Sequence, residues 1–503
     1  MDQNNGGILG KINTPTTSVA SGVWSLDSQF EAQSSSVWPL AFPQTTFTNS
    51  CRFNDGSSDY LTKTPSGAGN RRTWTFSTWV KKCMPLTGGN QRLIACGSGT
   101  GGLFSSIEYD SSDRIRILEG TQGGSSSVNV RGEGNNRDSS AWQHVVVKYD
   151  STQGTSADRI EIYLNGVEVT YDSTTYPSEN NNSEFNNNVV HTIGATSVGS
   201  SVGSFFDGYM TEVILIDGQA LAPTKFGAFN PVTNIWEPIA YAGTYGTNGF
   251  RLDFANSSAL GNDVSGNDND YTVNNLTSVD QSTDTCSNNF ATMLPITKST
   301  DATFSEGNLN VTYGTASTRR SAFGSIAVSS GKWYWETKIT ATSSTSVEIN
   351  LGISSTYNPD LIGNALVSTN GYSVSFFPSN GSLYIGNTQD ETSLGNVAVN
   401  DIIGHALDMD NGTLQFYKNG SALGSANDIT TSGSNVGELY PLFTPAVSCS
   451  SGDQTFTASY NFGSPEFSIS SGNSDANGFG NFEYSVPSGY FALCTKNLAE
   501  FGG

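Results

Sequence analysis

The chain has 503 residues, of which only 14% are charged, and its formal net charge is −22. This length allows two or three domains that each bury a core. The acidic balance disfavours nucleic acid and anionic membrane surfaces as partners, because both are bound by clustered Lys and Arg. No stretch approaches the roughly 20 consecutive apolar residues of a membrane helix, so we expect no membrane insertion.

The composition favours short strands and turns over helices. Gly accounts for 55 residues, and Ser, Thr and Asn are abundant; these residue types favour turns. No long segment repeats apolar residues with the 3.6-residue period of a helix. Because 11% of the residues are aromatic, we expect packed cores rather than disorder. The predicted fold class is all-β.

Residues 1–45 are polar, with isolated bulky side chains. Residues 22–32 are compatible with one short helix, but the segment is too small to build a core. Its aromatic side chains need a partner surface, which is either the following domain or another protein. We assign residues 1–45 to anchoring, with Trp24, Phe30 and Trp38 as docking side chains. The N-terminus has neither the basic nor the apolar region of a Sec signal peptide.

Residues 46–218 alternate apolar and polar side chains in the manner of strands. Residues 74–80 read Trp-Thr-Phe-Ser-Thr-Trp-Val, so one face of that strand is buried. Residues 160–164 alternate and are followed by Asn165-Gly166, the strongest short-range signal for a hairpin. Together with segments 53–60, 142–149 and 206–216, they resemble the laminin-G/concanavalin A-like jelly-roll family. The resemblance implies one antiparallel β-sandwich.

We interpret residues 219–300 as a connector and residues 301–503 as a second sandwich with a C-terminal segment. The second sandwich contains Gly-Lys-Trp-Tyr-Trp-Glu at 331–336, Gly-His-Ala-Leu-Asp at 404–408, Phe-Tyr-Lys-Asn-Gly at 416–420 and Tyr-Pro-Leu-Phe at 440–443. In this order the segments are similar to the SPRY (B30.2-like) family. The whole fold is therefore expected to be two antiparallel β-sandwiches with a short N-terminal anchor.

No arrangement of residues points to catalysis. Jelly rolls of this shape include glucan hydrolases, which carry paired carboxylates in a Glu-x-Asp-x-x-Glu pattern. That pattern is absent here, and Glu161 stands alone on its strand. His144, His191 and His405 are far apart in strand-like sequence, so we interpret them as core or sheet-edge residues. We expect the chain not to be an enzyme.

Calcium is the one cofactor that the sequence leaves open. Hard cations take carboxylate and carbonyl oxygens, and the loop from Asp263 through Asp268 to Asp270 offers several. An Asx turn without metal is the alternative for this loop. The laminin-G resemblance implies a second candidate at Asp59, although Thr211 stands where the family carries an Asp on the closing strand.

Aromatic residues divide into expected core residues and candidate ligand contacts. Trp333 and Trp335 share one sheet face, and we expect them to fill the core rather than bind a ligand. Tyr357 and Tyr384 lie beside Gly- and Asn-rich turns. Because binding residues concentrate on loops, these two tyrosines are the candidate ligand contacts.

The six cysteines form no CxxC pair and no metal-like spacing with histidine. We expect isolated buried thiols, as in a protein folded in a reducing cytosol. A disulfide between Cys83 and Cys96 is the open alternative.

Three further segments occur together in tail-fibre or head-fibre proteins of marine bacteriophages, including cyanophages, which the chain resembles. They are Gly-Val-Trp-Ser-Leu-Asp at 22–27, Ser-Gly-Asn-Asp-Asn-Asp-Tyr-Thr-Val-Asn-Asn-Leu at 265–276 and Gly-Tyr-Phe-Ala-Leu-Cys at 489–494. The resemblance implies a virion structural protein, assembled in the host cytoplasm, that contacts other tail or capsid proteins. It implies binding of a host surface glycan or envelope protein through loops, and a homo-oligomer, since trimers are common in such fibres.

Three other classes of function stay open at this point. A capsid or tail decoration protein would dock to the virion and need no host ligand. A polysaccharide depolymerase would need the carboxylate pair that the sequence lacks. A cellular adhesin would need an export route other than the Sec pathway.

Overall fold

The computed structural model describes residues 27–28, 31–32, 45–86, 88–99, 101–196, 202–231, 233–295, 302–314, 320–343, 349–355, 373–385, 388–429, 442–449 and 455–502. The chain divides into two compact units. One contains residues 1–46 and 223–242, and the other contains residues 47–222 and 243–503. Among the described residues, no helix is long and apolar enough to cross a membrane.

The larger unit begins with strands that form the first sandwich. They are β1 (Ser50–Phe53), β2 (Tyr60–Lys63), β3 (Thr73–Lys82), β4 (Gln91–Gly97), β5 (Leu103–Tyr109), β6 (Ile115–Thr121), β7 (Ser126–Gly132), β8 (Gln143–Asp150), β9 (Ile160–Leu164), β10 (Val167–Glu168), β11 (Tyr171–Thr175), β12 (Val190–Ile193) and β13 (Gly208–Asp217). A 3-10 helix, Ser156–Arg159, precedes β9.

The smaller unit contains one hairpin within its described residues. Strands β14 (Gly227–Phe229) and β15 (Trp236–Pro238) pair antiparallel, after a 3-10 turn at Pro223–Lys225. The backbone N–H of Thr45 donates to the carbonyl of Pro238 at 3.1 Å. Residues 27, 28, 31 and 32 are helical, in agreement with the short helix predicted over residues 22–32.

Residues beyond the hairpin return to the first sandwich. Strands β16 (Phe250–Leu252), β17 (Thr272–Asn274) and β18 (Gln281–Ser282) pair with β13, β2 and β1, respectively. A 3-10 helix at Ser278–Asp280 precedes β18. One sheet runs β10-β9-β8-β3-β13-β1-β18, with β16 also on β13, and the other runs β11-β7-β6-β5-β4-β12-β2-β17. Three short strands of the segment interpreted as a connector therefore belong to the sheets of the first sandwich.

The second sandwich is built from the remaining strands. They are β19 (Ala302–Ser305), β20 (Asn310–Tyr313), β21 (Arg320–Phe323), β22 (Lys332–Thr342), β23 (Ile349–Ser355), β24 (Ser373–Phe377), β25 (Ser382–Ile385), β26 (Thr388–Glu391), β27 (Ile402–Asp408), β28 (Thr413–Lys418), β29 (Ser421–Asp428), β30 (Phe443–Cys449), β31 (Phe456–Asn461) and β32 (Phe491–Ala492). A helix, Thr495–Phe501, follows β32.

Its two sheets enclose one apolar core. One sheet runs β19-β20-β31-β22-β27-β28-β29, and the other runs β21-β30-β23-β24-β25-β26. Strand β32 joins β22 in parallel. Trp333 and Trp335 are fully buried in the core between the sheets, while Tyr334 faces the opposite side of β22 and contacts Phe482. The expected core role of both tryptophans is confirmed, as is the all-β fold of two antiparallel sandwiches.

Both predicted Asn-Gly hairpins are present. Asn165 and Gly166 have φ values of +48° and +77° between β9 and β10, and Asn419 and Gly420 have +48° and +78° between β28 and β29. Two consecutive left-handed residues define the turn whose twist matches that of the paired strands. Each sandwich therefore contains the same type of two-residue hairpin turn.

The histidines and described cysteines are structural. His144, His191 and His405 are all buried, and burial lowers their pKa values to about 3, 4 and 3. Cys83 and Cys96 are buried free thiols. The interpretation as isolated thiols is confirmed for these two residues, and the alternative of a disulfide between them is wrong.

A hairpin tip of the second sandwich contacts the first sandwich. The tip joins β19 to β20, and its residues Glu306, Gly307 and Asn308 all have positive φ, at +52°, +69° and +63°. The hydroxyl of Tyr209 donates to the carbonyl of Gly307 at 3.0 Å. A Cβ at Gly307 would lie 2.0 Å from that hydroxyl oxygen, so the close approach requires glycine. We call this contact region the seam.

Buried charges fix the seam further. The Nζ atom of Lys81 on β3 donates to Oδ2 of Asp284 at 2.8 Å, to Oδ1 of Asn289 at 2.7 Å and to the carbonyl of Phe290 at 3.2 Å. The other carboxylate oxygen of Asp284 accepts the indole N–H of Trp142 at 2.9 Å. The segment that leads from one sandwich to the other is therefore held by a fully hydrogen-bonded ammonium group.

We predict that Lys81→Met destabilises the larger unit by about 3–5 kcal/mol, because it leaves the Asp284 carboxylate buried without its cation. The control is Lys148→Met, which removes a partly exposed ion pair with Glu161 and should cost no more than about 1 kcal/mol. Urea unfolding followed by tryptophan fluorescence measures both losses. Equal losses in the two variants would contradict the structural role of the seam.

Candidate functional site

The structure describes one of the five aromatic residues predicted as contacts. Trp24, Phe30, Trp38 and Tyr357 lie outside the described residues. Tyr384 is half-buried on β25, a strand that pairs with β24 and β26. It therefore lies within a sheet rather than on a loop, and its role as a ligand contact stays a prediction.

The loop with three aspartates is organised by hydrogen bonds to its own backbone. Oδ1 of Asp263 accepts the N–H groups of Arg251 and Ser265, at 2.9 and 2.8 Å. Oδ2 accepts the N–H of Asn269 at 2.9 Å, and Asp270 accepts the N–H of Asp263 at 2.8 Å. Asp268 is exposed, with φ of +55°. These contacts build an Asx-type loop, and calcium there stays a prediction.

Asp59 lies at a separate place on the first sandwich. In the β2–β17 register, Thr62 pairs with Thr272 and Tyr60 with Asn274. Asp59 and Asp270 therefore lie at opposite ends of the strand pair, about five residues or roughly 17 Å apart. One ion cannot bind to both carboxylates.

Burial dominates the electrostatics around Asp59. Its Oδ2 accepts the N–H of Asn54 at 3.0 Å, and burial raises its pKa to about 6. Asp207, which precedes the closing strand β13, is also buried, and its Oδ1 has no hydrogen-bond partner. Burial, reinforced by Asp55, Glu306 and Asp59, raises the pKa of Asp207 to about 8. Within the described ranges, no three His, Cys, Asp or Glu side chains are placed to hold a metal.

A cleft that could take a small ligand lies at one end of the first sandwich. It has a volume of about 660 Å³ and is formed where β7, the end of β11 and the 3-10 helix Ser156–Arg159 meet. We call it the end cleft. Its lining consists of Ser127, Val128, Ser156, Arg159, Thr174, Thr175, Tyr176, Pro177, Ser178 and Asn181.

One buried arginine shapes the wall of the end cleft. Arg159 donates from Nε to the carbonyl of Gln153 at 2.8 Å, from Nη1 to that of Pro177 at 2.8 Å and from Nη2 to that of Gly154 at 3.0 Å. The guanidinium fork therefore holds two loops that are distant in sequence. It is the only charged side chain in the lining.

The floor of the end cleft is a polar network. The side-chain amide of Asn181 donates to Oε2 of Glu119 at 3.1 Å and to the hydroxyl of Tyr149 at 2.9 Å. The hydroxyl of Ser105 donates to Oε1 of Glu119 at 2.9 Å. Burial raises the pKa of Glu119. Because these groups are already hydrogen-bonded to one another, the floor is fixed before any ligand arrives.

The rim carries hydroxyl groups that the described chain leaves without a partner, and the ring of Tyr176 packs against the core below. Tyr176 is half-buried, and no hydrogen bond within the described chain engages its hydroxyl or those of Ser156, Thr174 and Thr175. Sequence reasoning missed this site. The available signal was Thr-Thr-Tyr-Pro at 174–177 next to three asparagines, an aromatic residue within a polar loop.

Comparison with known families confirms the resemblances to the laminin-G/concanavalin A-like family and to the SPRY family. Residues 55–224 match the Concanavalin A-like lectin/glucanases superfamily, laminin G type. Residues 332–458 match the SPRY domain family. The chain therefore contains one domain of each family. Such domains are typically non-catalytic binding modules.

Several solved structures match parts of the chain. The SPRY domain of human HERC1 is 19% identical, with a TM-score of 0.28, and the match covers 33% of this chain and 96% of that one. A putative carbohydrate binding protein from Bacteroides ovatus is 19% identical, with a TM-score of 0.32 and coverage of 47% and 60%. A SAP-like pentraxin from Limulus polyphemus is 14% identical, with a TM-score of 0.25 and coverage of 36% and 76%. No curated protein matches the sequence.

The raised pKa of Asp207 predicts a pH-dependent loss of stability. Its folded pKa of about 8 exceeds the unfolded value of about 4. Between these values the folded state keeps a proton that the unfolded state releases, so stability falls as pH rises. Between pH 5 and pH 8.5 the unfolding free energy of the unmodified chain should fall by at least about 1 kcal/mol more than that of Asp207→Asn.

Urea unfolding at several pH values measures this difference. Asp158→Asn, at an exposed carboxyl group, is the control and should differ from the unmodified chain by a nearly constant amount. A constant difference for Asp207→Asn as well would contradict the prediction.

Proposed function

We propose that the chain is a virion fibre protein that attaches the particle to a host cell by binding a surface glycan. The observation that carries the proposal is the end cleft of the lectin-like domain. Its lining offers unpaired hydroxyl groups beside the half-buried ring of Tyr176. Sugars present hydroxyls on their edges and C–H groups on their faces, and amphipathic aromatic rings suit such surfaces.

The chemistry of the lining favours binding over cleavage. Hydrolysis of a glycosidic bond by the usual mechanism needs two carboxyl groups that flank the bond. The residues that line the end cleft include neither Asp nor Glu. Glu119 lies beneath them and is hydrogen-bonded to Ser105 and Asn181. A polysaccharide depolymerase is therefore the less supported alternative.

The virion assignment rests on the sequence resemblance to phage fibres. One of the shared segments, residues 265–276, has a scaffold role: the side-chain amide of Asn267 donates to the carbonyls of Gly246 and Gly249 at 2.7 and 2.8 Å. Residues 1–45 would contact tail or capsid proteins, and the particle would assemble in the host cytoplasm. Several copies, three in a trimeric fibre, would turn a weak site into effective attachment through avidity.

Tyr176→Ala tests the binding site. The variant should lose about tenfold in affinity for host cells or purified host envelope, which corresponds to about 1.4 kcal/mol, because it removes the aromatic surface. Tyr176→Phe should keep most of the affinity, since the ring is retained. Surface plasmon resonance on immobilised envelope measures the change.

Two further variants complete the test. Tyr245→Ala alters a half-buried tyrosine outside the cleft and should leave affinity unchanged. Tyr384→Ala tests separately whether the candidate contact on the second sandwich contributes to binding. Unaltered binding by Tyr176→Ala would overturn the assignment to the end cleft, and no binding by the unmodified chain would favour a decoration protein.

A further inference from the structure

A second cleft lies along the seam between the two sandwiches. It has a volume of about 360 Å³, within the range of about 300–1,000 Å³ for small-ligand sites. We call it the seam cleft. The first sandwich contributes Ser257, Ser278, Val279, Gln281 and Thr283, and the second contributes Ser464, Pro465, Phe467, Ser468, Ile469 and Asn481.

The walls of the seam cleft are fixed by hydrogen bonds across the seam. The hydroxyl oxygens of Ser282 and Ser464 are 2.6 Å apart, in a buried contact. The hydroxyl of Thr283 donates to the carbonyl of Gly463 at 3.3 Å. Nη1 of the buried Arg52 donates to the carbonyl of Pro465 at 3.4 Å. A ligand would therefore enter a site whose shape is already set, which reduces the entropy cost of binding.

Polar groups from both sandwiches remain available in this cleft. The hydroxyls of Ser257 and Ser278, and on the other side the hydroxyl of Ser468 and the side-chain amide of Asn481, have no hydrogen-bond partner in the described parts of the chain. All four residues are partly or fully exposed. They offer donors and acceptors on two facing walls.

The apolar and uncharged lining of the seam cleft indicates which class of ligand it could bind. Val279, Pro465, Phe467 and Ile469 lie among the polar groups, and no lining residue is charged. Nζ of Lys338 lies 5.0 Å from the centre of the Phe467 ring. An anionic or cationic ligand would meet no opposite charge in the lining itself. A neutral ligand with alternating hydroxyl and C–H surfaces matches both kinds of group.

We propose that the seam cleft binds a short neutral oligosaccharide and is a second site, distinct from the end cleft. This inference rests on the proposed function, because it takes the ligand to be a glycan. Neither sandwich supplies this site alone, because its lining comes from both. Two sites on one unit would raise the avidity for a long glycan when the spacing of the sites allows both to bind.

Isothermal titration of the full chain with neutral glucose, mannose and galactose tetrasaccharides tests the proposal. The key variant is Ser278→Asp, which places a charge on an exposed position in the lining of the seam cleft. Phe467→Ala removes the ring as a second, independent change. The control is Ser258→Asp, at an exposed serine next to a lining residue but outside the lining.

The proposal expects two binding events per chain with one of these probes. Ser278→Asp and Phe467→Ala should each remove one event or weaken it at least tenfold, and Ser258→Asp should change nothing. Tyr176→Ala should affect only the other event. If Ser278→Asp removes a binding event and Tyr176→Ala changes neither event, the result would support the seam cleft as a glycan site and would overturn the end cleft as one.

Three results would overturn the proposal. One is a single binding event that Tyr176→Ala abolishes and that Ser278→Asp and Phe467→Ala leave intact. The proposed function would stand after that result. Another is binding of acidic oligosaccharides alone, which also leaves glycan binding in place. The third is the absence of binding to any neutral or acidic probe and to host envelope, which would overturn the proposed function as well.

Discussion

The contact between the hairpin tip at 306–308 and the first sandwich is the constraint on which the arrangement of the larger unit depends. Arg52 lies at its centre: its guanidinium donates to the carbonyl of Val279 at 3.0 Å and to Asp280 at 3.2 Å, and it forms an ion pair with Glu306. On the same contact, the side-chain amide of Asn308 donates to the carbonyl of Cys83 at 2.5 Å. Because a buried charge is costly unless it is paired, few other arrangements of the two sandwiches would satisfy these groups.

A polar seam has consequences that an apolar one would lack. Buried ion pairs add little net stability but penalise wrong arrangements, because each misplaced partner leaves a desolvated charge. The same burial raises the pKa values of Asp59 and Asp207 beside the seam. The stability of the unit is thereby coupled to pH through these two buried carboxyl groups. The seam also creates a cleft whose two walls belong to different domains.

The sequence predicts what is encoded locally. Asn165-Gly166 and Asn419-Gly420 each specify a hairpin with two residues, and the alternation around Trp333 and Trp335 specifies a buried face. The strand at 250–252 lies within the strand that the sequence predicts over 247–254, whereas the strands at 272–274 and 281–282 have three residues or fewer and are too short to show a period. The seam joins Tyr209 to Gly307, a contact that no local pattern marks. Likewise, the end cleft depends on Arg159 reaching the carbonyl of Pro177.

Hydrogen exchange through a urea titration tests the central claim, that the seam makes one structural unit of two sandwiches. The most protected amides of β3 in the first sandwich and β22 in the second are the probes, since both strands lie at the centre of their sheets. The structure predicts that both sets open with the same free energy and the same dependence on urea, as one cooperative unit does. A lower opening free energy and a shallower urea dependence for one sandwich would show that it unfolds alone, and would contradict the account.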